Sequence, residues 1–138
     1  MVAAIINKDN QILLQKRADH TEKFPNLWDI SIAGHVSQGD NSEQTVIKEA
    51  FEEIGVKIKE IEFIDSFLDK RIIGNIKENQ VYDLYVIRLD FPLSKYTFND
   101  GAVAEIKFAD QQEIVRMRAK KLFHPREQWI DMIFKKTI

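Results

Sequence analysis

Residues 48–56 read KEAFEEIGV and gather Glu49, Glu52 and Glu53 within one short stretch. At spacings of three and four these side chains share one face of a helical turn. Glu49 and Glu53 form a like-charged i,i+4 pair, which opposes helix formation by about 0.2–0.5 kcal/mol. Gly55 has the position of a residue just past a helix end. Glu52 and Glu53 therefore fall in the last turn, where the helix dipole disfavours negative charge. The chemistry open to closely spaced carboxylates is proton transfer or the ligation of a hard cation. An ordinary solvated acidic helix face is the other reading.

A helix over Ser42–Ile54 must position these groups. Val46, Ile47, Ala50, Phe51 and Ile54 fall on one side at 100° per residue, and Lys48, Glu49, Glu52 and Glu53 on the other. Asp40, Asn41 and Ser42 are all candidate N-caps, and Asp40 with Glu43 has capping-box spacing. Upstream, Val2–Ile6 and Ile12–Lys16 read as a β-hairpin around the turn-like Asn7-Lys8-Asp9-Asn10. Leu27–Ala33 alternates as one strand. Downstream, Val56–Asp69, Gln80–Phe91 and Val103–Phe108 carry strand patterns, with a turn at Gly74-Asn75. Gln111–Lys121 and Pro125–Lys136 read as helices, with Pro125 suited to a helix start. The expected architecture is one α+β domain over 1–138, a mixed β-sheet with helices on both faces.

Composition narrows the function classes. The formal net charge of −2 gives no basic excess to attract nucleic acid or a membrane surface. There is no cysteine, which excludes disulfides, thiolate metal sites and cysteine nucleophiles. No leader pattern is visible at the start, and no apolar run approaches the ~20 residues that span a bilayer. A cytoplasmic protein is expected.

The stretch Gly34–Val56 resembles the Nudix box, G-x5-E-x7-R-E-U-x-E-E-x-G-U with U aliphatic. Gly34, Glu49-Ala50, Glu52-Glu53 and Gly55-Val56 match in register. Asp40 stands where the family has glutamate and Lys48 where it has arginine, and Ala50 is smaller than the usual aliphatic residue. ILLQKR at 12–17, FPNLWDISIAGHV at 24–36 and VAEIKFAD at 103–110 extend the similarity, with Phe108 in place of a frequent tryptophan. The resemblance implies a Nudix fold, an α/β/α sandwich with a mixed β-sheet. It implies a metal-dependent hydrolase that cleaves a diphosphate linkage in a nucleoside diphosphate derivative or other organic diphosphate.

On that resemblance Glu49, Glu52 and Glu53 hold Mg²⁺ or Mn²⁺, joined by the Gly34 carbonyl. Lys48 would steady the glutamates as a point charge, where arginine offers a planar fork, or be a plain surface residue. Asp40 is expected to cap the helix rather than ligate. Glu105 matches a glutamate of the family's E-V-x-E-I-type segment and is a candidate general base, with Glu53 the other. Arg17, Lys23 and His35 are candidate phosphate or substrate contacts. The basic run Arg116, Arg118, Lys120 and Lys121 is expected to be a solvated helix face, and Trp28 and Phe24 core. Substrate choice is expected to lie at 66–80 and 91–102, outside the box. The partner implied is a small-molecule diphosphate, with neither nucleic acid nor membrane, and a homodimer is open. A weakly active ligand-binding or regulatory module is the alternative function. FPNLWDISIAGHV is also similar to isopentenyl diphosphate isomerase, but Ala33 stands where that enzyme carries its cysteine, so its thiol-dependent protonation cannot run here.

Overall fold

The structure, a computed structural model, describes residues 1–22, 24–34, 36, 39–73, 75–98, 101–124 and 127–137; for 69–73, 76–80, 127, 128 and 137 it describes the backbone alone. The elements run β1 (Val2–Ile6), β2 (Ile12–Arg17), β3 (Trp28–Ile30), β4 (Ile32–Ala33), α1 (Ser42–Ile54), β5 (Glu62–Ile73), β6 (Ile76–Arg88), a 3₁₀ turn (Leu93–Lys95), β7 (Val103–Ala109), α2 (Gln111–Ala119) and α3 (Glu127–Thr137).

The first hairpin turns at Asn7, whose side-chain oxygen accepts from the Asp9 and Gln11 amides, both at 3.0 Å. Asn10 takes the left-handed conformation there, φ 57°, which asparagine tolerates better than most residues. The register of β1 with β2 is set at Ile6↔Ile12. Beyond that point the two strands part. β3 takes the edge of β2 through Leu14↔Ile30, Gln15↔Asp29 and Lys16↔Trp28, while β4 pairs with β1 through Val2↔Ala33 and Ala3↔Ile32. Ser31 sits between β3 and β4. Its hydroxyl accepts from the Ile5 amide (2.9 Å) and donates to the Leu13 carbonyl (2.6 Å), so it closes the gap where the strands diverge. The single strand expected over Leu27–Ala33 is therefore two short strands.

On the other side β1 runs parallel to β6, from Val2↔Leu84 to Ile6↔Arg88, and β6 is antiparallel to β5 from Glu62↔Val86 to Ile73↔Ile76. β7 pairs with the remaining edge of β2. Alternation along the strands sorts the core into two layers. Val2, Ala4, Ile6, Ile12, Leu14, Ile30, Leu84 and Val86 pack with Ile114 and Met117 of α2 and Trp129, Ile130, Ile133 and Phe134 of α3. Ala3, Ile5, Leu13, Ile32, Tyr85 and Ile87 pack with Val46, Ala50 and Ile54 of α1 on the opposite face. Burying a side chain such as Ile5, Ile32 or Ile54 contributes about 1.5–3 kcal/mol. The result is an α+β sandwich, with α1 on one face of a mixed sheet and α2 and α3 on the other.

Several sequence expectations shift. Val56 and Ile58 are buried against the α1 layer but belong to no strand; β5 starts at Glu62. β6 starts at Ile76 and stops at Arg88, so the strand expected over Gln80–Phe91 begins four residues earlier and ends three residues sooner. Phe51, assigned to the apolar side of α1, is 55% exposed. Arg118 is not simply solvated, because it pairs with Asp131 at 2.8 Å and so ties α2 to α3. Trp28 is core, as expected, with the Lys107 ammonium 4.6 Å from its ring centroid. Gly74 and Pro125 lie outside the described residues. Among the described residues no helix is long and apolar enough to cross a membrane.

Candidate functional site

Helix α1 is fixed at both ends. Its N-cap is Asn41, in extended backbone, whose side-chain oxygen accepts from the Gln44 amide at 2.8 Å. Asp40, expected as the cap, lies one residue outside and is exposed; only the residue directly before the first turn can reach the open amides with its side chain. At the other end Gly55 adopts φ 72°, ψ 20°. The Val56 amide bonds the Ala50 carbonyl (3.2 Å), and the Thr97 amide bonds that of Ile54 (3.2 Å). A β-carbon at Gly55 would collide with Thr97 Oγ1, so both the dihedral and the space require glycine.

Val46, Ala50 and Ile54 make the buried stripe of α1. Glu49 and Glu53 border that stripe and are half-buried, whereas Glu52 and Lys48 are exposed. No basic residue occupies the last turn. The structure thus presents Glu52 and Glu53 in the turn that the helix dipole penalises most, with Glu49 one turn earlier. Among the described residues, no three acidic or histidine side chains converge on one point as a preformed cage would.

Gly34 follows β4, which lies against α1. Its amide bonds the Met1 carbonyl at 3.1 Å, and its own carbonyl accepts from the Met1 ammonium at 2.7 Å. A carbonyl oxygen has a second lone pair, so this contact leaves one site for a further partner. Arg17 ends β2 opposite Val103, with its amide on Leu27 O (2.9 Å) and its carbonyl on Asn26 N (3.0 Å). The strand registers put Arg17, Gly34 and the start of β7 at the same end of the sheet, away from the Asn7 turn.

Glu105 is placed differently. It stands opposite Lys16 in the β2–β7 ladder. Its neighbours Ile106 and Phe108 pack into the α1 layer, while Lys107 reaches the Glu113 carboxylate of α2 at 2.9 Å. Alternation therefore turns Glu105 toward the α2–α3 face, and the fold does not bring it together with the glutamates of α1. Lys23 and His35 lie outside the described residues.

Two acidic groups near α1 escaped the sequence reading. Asp29 is 3% exposed. It shares the α1 face with its cross-strand partner Gln15, and its Oδ1 accepts from the Ile30 amide at 2.7 Å. A charge at one of the polar positions of the alternating run WDISIA was the available signal. Asp83 of β6 is the other. The hydroxyls of Ser42 and Ser66 beside it hold its carboxyl below the usual carboxylate range. Nothing in the local sequence links it to Ser42.

A family model of the NUDIX domain matches residues 1–133. The chain is 31% identical over 121 residues to an uncharacterized Nudix hydrolase of Listeria monocytogenes, covering 88% of this chain and 68% of that protein. It is 32% identical over 122 residues to Nudix hydrolase 3 of Arabidopsis thaliana, covering 84% of this chain but only 16% of that protein. An isopentenyl-diphosphate Delta-isomerase of Klebsiella pneumoniae is 29% identical over 108 residues, covering 77% of this chain and 57% of the enzyme. In backbone course the chain is similar to DR0079 of Deinococcus radiodurans, with a TM-score of 0.77 and 19% identity over 99% of this chain and 81% of the other. It is also similar to the NUDIX domain of Shewanella oneidensis NrtR complexed with ADP ribose, with a TM-score of 0.73 and 18% identity over 99% and 86% of the two chains. At such identities the structural likeness speaks for the fold alone.

Proposed function

The chain belongs to the NUDIX domain family, and from that premise we propose that it is a Mg²⁺- or Mn²⁺-dependent pyrophosphohydrolase. Its substrate class is a nucleoside diphosphate derivative or another organic diphosphate. The observation that carries this reading is the end of α1. There Glu52 and Glu53 stand against the helix dipole and Glu49 against the like charge of Glu53, held by a Gly55 exit that admits no other residue without strain.

The donor set suits a hard cation: three carboxylates and the free lone pair of the Gly34 carbonyl are all oxygen. Mg²⁺ keeps several of its waters, so the residues need not form a closed cage. When bound, the cation supplies neutralisation of diphosphate oxygens and a more acidic water. The chain's own residues bind and orient. Glu49 and Glu53 ligate from half-buried positions, where carboxylates are screened less than on the open surface. Glu52 approaches from the exposed side, beside the point charge of Lys48. Arg17, at the same end of the sheet as Gly34, meets a phosphate; Lys23 and His35 are proposed in the same role from their sequence positions. Of the two candidates for removing a proton from the attacking water, Glu53 is favoured over Glu105, which faces the other side of the sheet. No nucleic acid or membrane is needed, the compartment proposed is the cytoplasm, and a homodimer remains one assembly the reading accommodates.

The isomerase relatives share the scaffold, but the chain has no cysteine and Ala33 pairs with Val2 in β4. Hydrolysis is therefore favoured over thiol-dependent isomerisation. A second reading, a ligand-binding module with little turnover, is favoured by Lys48 in place of the family arginine. The deciding experiment incubates the protein with Mg²⁺ and a panel of nucleoside diphosphate sugars, ADP-ribose, dinucleoside polyphosphates, nucleoside triphosphates and isoprenoid diphosphates. Phosphate-containing products that require Mg²⁺ and vanish with EDTA are expected. Tight calorimetric binding without any turnover would replace the hydrolase with the binding module.

A further inference from the structure

The first residue of α1 is tied to the sheet by a polar contact with β6. Ser42 Oγ is hydrogen-bonded to Tyr85 Oη of β6. The carboxyl of Asp83, two residues earlier on the same face of β6, lies beside the Ser42 hydroxyl. Asp83 Oδ1 in turn accepts from Ser66 Oγ of β5 at 2.5 Å. Tyr85 itself is 5% exposed and braced edge-on by Phe63, with ring centroids 5.6 Å apart.

Helix geometry links this anchor to the glutamates. At 100° per residue, Glu49 lies about 20° to one side of Ser42 and Glu53 about 20° to the other. All three border the buried stripe and are half-buried. Apolar packing of Val46, Ala50 and Ile54 seats the helix on the sheet but is itself without direction, and the directional bonds at Gly55 hold only its far end. A 20° rotation would sweep a side chain about 5.5 Å from the axis through about 2 Å. Ligand distances in metal sites are held to about 0.2 Å. A directional restraint at the first turn, added to the bonds at Gly55, serves that tolerance.

We propose that Tyr85 is a positioning residue: acting through the Ser42 hydroxyl, it sets the rotation of α1 and so the direction in which Glu49 and Glu53 present their carboxylates. This rests on the reading of α1 as the cation-binding helix. The test measures Mn²⁺ affinity by the electron paramagnetic resonance signal of the free ion, on the full chain, alongside thermal unfolding. Ser42→Ala should weaken Mn²⁺ binding about tenfold, in the range for groups that orient metal ligands. Tyr85→Phe, which keeps the apolar packing, should weaken it in the same direction. Ser42→Thr, which keeps the hydroxyl, should restore it to within about twofold of wild type. If Ser42→Ala and Tyr85→Phe unfold earlier but bind Mn²⁺ as wild type does, the anchor is merely structural and the proposal is wrong. If wild type itself takes up no Mn²⁺, the cation-helix reading fails first and the proposal with it.

Discussion

Replacing Ser31 by alanine tests how the sheet opens toward the candidate site. The hydroxyl of Ser31 is the shared partner of the Ile5 amide at 2.9 Å and the Leu13 carbonyl at 2.6 Å. Ser31 is 2% exposed and Ile5 and Leu13 are fully buried, so water has no ready path to either group. Alanine would leave one buried donor and one buried acceptor unpaired, at about 1–3 kcal/mol each. The expected loss is thus about 2–6 kcal/mol, a large share of the roughly 5–15 kcal/mol that holds a typical domain together. Urea unfolding followed by circular dichroism measures it, with an unchanged denaturant slope as the sign that only stability moved. Magnesium affinity should fall as well, because Ser31 lies three residues before Gly34 in the same gap. A loss below about 0.5 kcal/mol, the scale of an ordinary surface substitution, would refute the argument that Ser31 closes the split between β1 and β2.

Gly55→Ala should lose about 2–3 kcal/mol, from the left-handed backbone and the collision with Thr97 Oγ1. Combined with Thr97→Ala, where the nearest remaining atom would be the residue-97 β-carbon at 3.8 Å, the added cost of alanine at 55 should fall to about 1–2 kcal/mol; equal costs in both backgrounds would contradict the collision. Tyr96 is 5% exposed, and its hydroxyl has no hydrogen-bond partner among the described residues, so Tyr96→Phe should raise stability at neutral pH by about 1 kcal/mol. Burial, with the nearby Asp90 charge, pushes the Tyr96 phenol up to about 12 from 10.0. The unfolded chain would release that proton above pH 10 while the folded chain keeps it, so wild type should lose stability between about pH 10 and 12 relative to Tyr96→Phe. Parallel pH profiles for the two proteins would contradict the assignment.

The parts of the fold that rest on local periodicity were legible in the sequence. Helix α1 spans Ser42–Ile54 as its apolar spacing and the following glycine indicate, and β7 and α2 fall within a residue or two of their expected limits. The parts that rest on long-range contacts were not. Val56 and Ile58 alternate like a strand, yet their side chains satisfy the α1 core without any ladder. Leu27–Ala33 alternates without a break, and only the divergence of β1 from β2 shows why Ser31 divides it. For the site, the carboxylates of α1 were evident because they oppose local electrostatics. The facing of Glu105 was not, because it depends on the β2–β7 register and the shift at Lys16/Arg17. The anchor of Ser42 on Tyr85 joins residues 43 positions apart and leaves no local trace.

The central claim is that the glutamates of α1 hold the cation for diphosphate hydrolysis. Its most direct test is the rate of Mg²⁺-dependent diphosphate cleavage by wild type, Glu52→Gln and Glu53→Gln, with folding checked by circular dichroism. Glutamine keeps the shape of the side chain and removes the charge. Wild type should turn over, and each folded variant should lose nearly all activity. A folded Glu52→Gln or Glu53→Gln protein that cleaves as fast as wild type would contradict the assignment of these ligands.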